Sequence, residues 1–221
     1  FVVANEEALD AGRRFLDVDL NRVFPGHERS EQHEERLAAE LDAVLGPEPV
    51  LDLHSTESFS EPFATVPQVT SETAALVRAT GVDRVVAFSP ESGTSLLDRV
   101  PGVGIECGLQ GTASAADNAY SIIRNTLAAV DVLDDEYTET DPVLFRATGT
   151  VPKPEPYRLL VDNFTRVPAG TVFAEAVDSG DDLVADHAFY PFLMSEKGYE
   201  DILGFQAERV GPLSDAVATD S

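Results

Sequence analysis

Apolar, strand-like runs alternate with amphipathic, helix-like runs over the first 135 or so residues, and this alternation restricts the fold more than any other feature. Phe1–Ala4 reads as a short apolar strand. Residues 30–45, SEQHEERLAAELDAVL, carry Leu37, Leu41 and Leu45 at four-residue spacing behind Ser30, which predicts a helix capped by that serine. PVLDLH (49–54) is a buried strand ending in polar residues, and SETAALVRAT (71–80) is a second helix, capped by Ser71 and stopped at Gly81. RVVAFSP (84–90) and GVGIECG (102–108) are strands, and residues 112–133 form a long helix with Ile122, Ile123, Leu127, Val130 and Leu133 on its apolar side. Such alternation gives an α/β fold, a sheet covered by helices with function at the carboxyl ends of its strands.

From residue 141 the texture changes to short β-rich runs, PVLFRATGTV, YRLLVDNFTRV and GTVFAEAV, punctuated by Pro and Gly. The expected organisation is therefore a catalytic domain over 1–140 and a smaller β-rich domain over 141–221. A chain of 221 residues with 43% hydrophobic content can bury the core this requires.

Charge narrows the partners. Forty acidic residues against 15 basic ones leave a net charge of −25, the wrong sign for nucleic acid or an anionic membrane. Only Lys153 and Lys197 are lysines. An acidic, lysine-poor but apolar-cored chain is expected from a salt-accumulating, halophilic cytoplasm, where salt screens self-repulsion over a few ångströms. Most of the acids then form a solvated coat, and arginines kept close together have a specific task. The single cysteine, Cys107, cannot form an internal disulfide and fits a reducing cytoplasm. No apolar run approaches the ~18 residues that span a bilayer, and no signal peptide is expected. The sequence opens at Phe1 without a Met, so a front segment is expected to be missing.

Four segments carry chemistry. RFLDVDLNRVFPG (14–26) places Arg14, Asn21 and Arg22 with Asp17 and Asp19 before a Phe-Pro-Gly turn. Arginine grips a carboxylate through two parallel hydrogen bonds, so this stretch suits an anionic small molecule; a salt-bridged turn would also use these charges. His54 ends the strand LDLHST with Asp52 on the same side, which suits a metal ligand and equally a histidine satisfied by a backbone carbonyl. Glu106 is a carboxylate inside the apolar, Gly-rich strand VGIECG, so it is either paired structurally or held for chemistry. Tyr199, in YPFLMSEKGYE, reads on its own as an ordinary packed or surface aromatic. Together they suggest metal-assisted hydrolysis: a metal to polarise a carbonyl and activate water, a Glu to take the water's proton, an Arg for the oxyanion.

R-x-x-D-x-D-L-N-R-x-F, then D-L-H-S-T, then G-I-E-C-G, then Y-P-F-L-M-S-E-K-G-Y, in that order over nearly the whole chain, resembles the succinylglutamate desuccinylase/aspartoacylase family of zinc carboxypeptidase-like hydrolases. The resemblance implies a mixed sheet with flanking helices, plus a smaller β-rich C-terminal domain. It implies hydrolysis of the amide of an N-acyl amino acid with one Zn2+ per complete site. It implies His54 as a zinc ligand, Glu106 as general base and later proton donor, and Arg14 as the group that polarises the carbonyl and holds the oxyanion. Asn21 and Arg22 would hold a substrate carboxylate, Tyr199 would close over the substrate, and Asp17 and Asp19 would position these groups.

The family takes its first two zinc ligands from an H-G-N-E type segment, and these are expected upstream of Phe1. His54-Ser-Thr-Glu57 has H-x-x-E spacing, but its strand-end context matches the third-ligand site instead. His27, His33 and His187 are expected to be solvated or structural, and Arg99 stands too close to Glu106 for the family's additional specificity arginine. The expected partner is a small-molecule N-acyl amino acid, with no nucleic acid and no membrane; a homo-oligomer and the identity of the acyl group are left open. The competing readings are a zinc carboxypeptidase acting on peptides and a metal-free carboxylate-binding protein.

Overall fold

The computed structural model describes residues 2–88 and 93–217. The chain forms two compact units, Phe1–Leu51 with Ser89–Val103, and Asp52–Phe88 with Gly104–Ser221.

In the first unit, helix α1 (Glu6–Asp10) is capped by Asn5, whose side chain accepts from Ala8 N. Where a strand was expected before it, Val2 and Val3 are in irregular, exposed backbone with no ladder partner; Phe1 itself lies outside the described residues. A 3-10 turn, Leu20–Arg22, follows, and then helix α2 (His33–Val44). Ser30 does not cap α2: its Oγ accepts from Gln32 N within the preceding loop, and Gln32 is the N-cap without a side-chain bond. The buried stripe of α2 runs through Glu34 and Ala38 rather than the three leucines. Gly26 explains part of this. Its backbone approaches the helix so closely that a Cβ there would lie 2.8 Å from Ala38 Cβ and 2.4 Å from Ala39 N. Small residues are needed at both positions.

The second unit holds a seven-stranded mixed sheet, apart from the first two residues of β1 (Val50–Thr56) and of β4 (Gly102–Leu109). With β2 (Phe63–Val66), β3 (Arg84–Ala87), β5 (Val143–Pro152), β9 (Tyr190–Phe192) and β10 (Ile202–Pro212), the order is β1-β4-β2-β3-β5-β10-β9. β2 pairs antiparallel with β4 and parallel with β3, and β3 pairs parallel with β5. β2, unforeseen in the sequence, has only four residues, all buried or nearly so. Helices α3 (Ser71–Thr80) and α4 (Ala113–Ala129) pack on each other. α3 is capped one residue earlier than expected, by Thr70 in reciprocal bonds with Thr73, and Gly81 ends it at φ 77°. α4 stops before Val130 and Leu133, and Val130 is exposed. β3 ends at Ala87; Ser89 and Pro90, expected to extend it, lie outside the described residues.

Residues beyond 141 supply β5, β9 and β10 to the large sheet. They also make a second, three-stranded antiparallel sheet of β6 (Tyr157–Leu159), β7 (Val172–Ala176) and β8 (Leu183–Val184). The α/β mixed sheet with helices and a smaller β-rich part is thus present. Phe63, Phe145, Phe192 and Phe205 form an aromatic core beside it, with Tyr199 packed at its margin. Among the described residues no helix is long and apolar enough to cross a membrane.

Candidate active site

In the first unit the sequence turns back on itself between Arg14 and Arg22. Asp19 caps the 3-10 turn: its Oδ1 accepts from Asn21 N at 3.1 Å, and its Oδ2 accepts from Arg14 Nη2 at 2.8 Å. Asn21 Oδ1 accepts from Leu96 N at 2.7 Å, which leaves the Nδ2 donors of that amide for another acceptor. Arg22 is exposed and donates through Nη1 to the Asn21 carbonyl at 2.7 Å. Asp17 Oδ2 accepts from His33 N, the first helical residue of α2, at 2.7 Å. Arg99 is engaged elsewhere, through Nε to Asp42 Oδ1 at 3.0 Å.

Glu34, unremarked in the sequence, is fully buried on α2. Its Oε1 accepts from Leu16 N at 2.5 Å and Asn5 Nδ2 at 3.0 Å, and its Oε2 from Asp17 N at 3.0 Å and Val18 N at 3.1 Å. Burial alone would raise its pKa. The four hydrogen bonds outweigh burial and bring it down to about 2.

In the second unit β1 and β4 are neighbours. Val50 N donates to Pro101 O and Gln110 N to Thr56 O, each at 2.9 Å, so the two strands run parallel. Counted from these bonds, His54 lies level with Glu106 to within one residue. His54 Nε2 stands 2.7 Å from Asp52 Oδ2, its neighbour two residues back on the same face. A carboxylate held against one ring nitrogen in this way is the arrangement that orients a metal-binding imidazole. Glu106 is half-buried opposite the fully buried Phe63 of β2. Cys107 is buried; desolvation, with the Glu106 charge adding, pushes its thiol up to about 11, so it stays protonated and is no nucleophile.

Tyr199 packs edge-on against Phe205 at 5.7 Å, and its carbonyl accepts from Lys153 Nζ. Its segment adjoins the end of β1: a Cβ on Gly198 would lie 3.8 Å from Glu57 Cβ. Asn163, also missed in the sequence, fixes this approach. Its Nδ2 donates to Ser58 O and to Met194 O, both at 2.9 Å. Gly204 completes the fit, because a Cβ there would come within 2.4 Å of Met194 Cα.

Arg14, Asn21 and Arg22 are therefore gathered in the first unit, and His54, Glu106 and Tyr199 lie in the second. A zinc site takes three protein ligands and an open position. Among the described residues no group of three or more His, Cys, Asp and Glu side chains is arranged to hold a metal. His54 with Asp52 fits one ligand and its orienting partner, not a whole site.

Among curated proteins none matches the chain. Solved structures do. The succinylglutamate desuccinylase/aspartoacylase from Rhodobacter sphaeroides superposes with a TM-score of 0.75 at 18% identity, over 94% of this chain and 74% of that one. Murine aminoacylase 3 gives 0.75 at 20%, over 95% and 82%. The product-bound ectoine utilization protein EutE (DoeB) from Ruegeria pomeroyi gives 0.73 at 21%, over 93% and 72%. At these identities the likeness is one of fold. The model of the succinylglutamate desuccinylase/aspartoacylase catalytic domain matches residues 1–131, more than half of the sequence. The chain belongs to the succinylglutamate desuccinylase/aspartoacylase family.

Proposed function

We propose that this protein is a zinc-dependent hydrolase that removes the acyl group from an N-acyl amino acid. The observation that carries the reading is the Asp52–His54 pair on β1, level with Glu106 on the parallel neighbouring strand, in a chain whose family model is that of a deacylase catalytic domain. Glu106 takes the proton of the attacking water and later returns it to the departing amine. Arg14 donates to the oxygen that becomes negative in the tetrahedral intermediate. Asn21 and Arg22 hold the carboxylate of the amino acid, and Tyr199 closes over it. One zinc per site is part of the reading, with His54 as one of its ligands.

The same reading assigns residues 1–140 to the catalytic domain and 141–221 to the β-rich domain. It puts the enzyme in a reducing, salt-rich cytoplasm, supported by the lone thiol and the acidic composition.

The test is hydrolysis of N-succinyl-L-glutamate and N-acetyl-L-aspartate by the protein with added zinc. Turnover of at least one is expected, together with a drop of several orders of magnitude in Glu106→Gln and undiminished zinc content. Unchanged turnover in that variant removes Glu106 as the base; absence of amide hydrolysis on either compound defeats the deacylase reading.

A further inference from the structure

The loop between Arg14 and Arg22 is short and polar, and much of what fixes its path is a single side chain. Leu16, Asp17 and Val18 turn three consecutive backbone N–H groups toward α2, and all three end on the Glu34 carboxylate. Three converging donors favour a full negative charge at their focus. An amide could not replace it, since the Nε2 of a glutamine would bring protons against one or two of the three N–H groups.

The anchor sits between the functional groups in sequence. Two residues before it stands Arg14, and one residue after it comes Asp19, which binds Arg14 Nη2 and Asn21 N through its two oxygens. Asp17, inside the anchored triplet, accepts from His33 N next to Glu34. The α2 helix thus holds Leu16–Val18 at two points, and Asp19 carries that constraint to the guanidinium of Arg14 and to the turn bearing Asn21 and Arg22. Asn5 Nδ2 supplies the fourth bond to the carboxylate, and His33 Nε2 lies 3.3 Å from Asn5 Oδ1, so the far side of the carboxylate is closed as well.

We infer that Glu34 is a positioning residue of this loop, holding Arg14 for the reacting carbonyl and Asn21 and Arg22 for the substrate carboxylate through the Leu16–Val18 amides, without touching the substrate. The inference rests on the reading of Arg14 as the oxyanion donor and of Asn21 and Arg22 as the grip.

The experiment uses isotope-labelled protein and two variants. Glu34→Gln should shift the backbone amide resonances of Leu16, Asp17 and Val18 and, through Asp19, the Nδ2 protons of Asn21 and the Nε proton of Arg14. Glu34→Asp keeps the charge on a shorter arm, and should move the same signals less. N-succinyl-L-glutamate, used as the probe, should bind at least tenfold more weakly to Glu34→Gln, with Glu34→Asp between that variant and the parent. Displaced amides with Asn21 and Arg14 signals unmoved would overturn the positioning role, as would unchanged probe affinity. Failure of the parent protein to bind the probe would count against the deacylase reading alone, because the side-chain signals decide the positioning separately. If Glu34→Gln does not fold, the same comparison on Glu34→Asp decides.

Discussion

Asn163 and Met194 hydrogen-bond each other twice: Asn163 Nδ2 donates to the Met194 carbonyl at 2.9 Å, and Met194 N donates back to Asn163 Oδ1 at 3.0 Å. The second Nδ2 proton goes to the Ser58 carbonyl. One buried amide therefore ties the segment leading to Tyr199 to the loop that follows His54. Truncation to alanine leaves one N–H and two carbonyls without this partner. Each such buried group costs about 1–3 kcal/mol, so Asn163→Ala should destabilise by about 3 kcal/mol in urea unfolding. Asn163→Asp keeps the acceptor and loses both donors, and should be no better. A loss under about 1 kcal/mol in both variants would mean that the loops hold together without it.

Arg22 calls for the opposite expectation. It is exposed, and among the described residues its hydrogen bond is to its neighbour's carbonyl, so Arg22→Ala should change stability by less than about 0.5 kcal/mol. A lost charged hydrogen bond to a substrate carboxylate is worth about 1.5–3 kcal/mol, which is about a ten- to hundredfold rise in KM. Because the grip is remote from the bond that breaks, kcat should fall far less. Steady-state kinetics on the best N-acyl amino acid would show it, and a loss confined to kcat would remove Arg22 from the grip.

Three strands of the large sheet, β1, β3 and β4, were legible in the sequence because they are apolar runs bounded by turns. β4 and β1 needed only their hydrophobicity and their ends. β2 escaped because four residues, PFATV less its proline, give too short a run to show a period. Arg14, Asn21 and Arg22 could be read as a group because they lie within nine residues. Glu34 and Asn163 could not be found that way: each is a polar residue whose partners lie 16–29 and 31–105 positions away. On a helix read by its leucines, Glu34 looks like one of many surface acids in an acidic chain. The helix instead packs its Ala38 face close against Gly26 and buries Glu34 on the same stripe.

That inward charge has a pH signature. The folded pKa of Glu34 is about 2, below the ordinary 4.5, so folding is favoured by its ionised form. The contribution is complete above pH 4.5 and disappears as pH falls toward 2. A displacement of that size corresponds to about 3 kcal/mol at neutral pH. The groups around the carboxylate are the Leu16–Val18 amides and Asn5, none of which titrates, with His33 bonded to Asn5 behind them. Glu34→Gln should therefore be less stable than the parent by about 3 kcal/mol at pH 7, and the gap should close between pH 4.5 and 2. A gap constant over that range would mean that shape, not charge, makes the site.

Salt should act on the whole molecule in one direction, and the magnitudes say which. Salt weakens favourable surface ion pairs such as Arg84–Glu61 and Arg146–Glu208, each worth at most about 1 kcal/mol. It also weakens repulsion among carboxylates that outnumber the cations by 25. Fifteen cations cannot offset forty acids, so the repulsive side dominates. The Debye length falls from about 10 Å at 0.1 M to about 3 Å at 1 M. Thermal unfolding in potassium chloride should therefore give a Tm that climbs steeply from 0.1 to 1 M and then flattens. Chloride is the right anion, because sulfate would add a general strengthening of apolar burial and blur the cause. Equal melting temperatures at the two concentrations would mean that the acidic surface is stabilised by something other than screening.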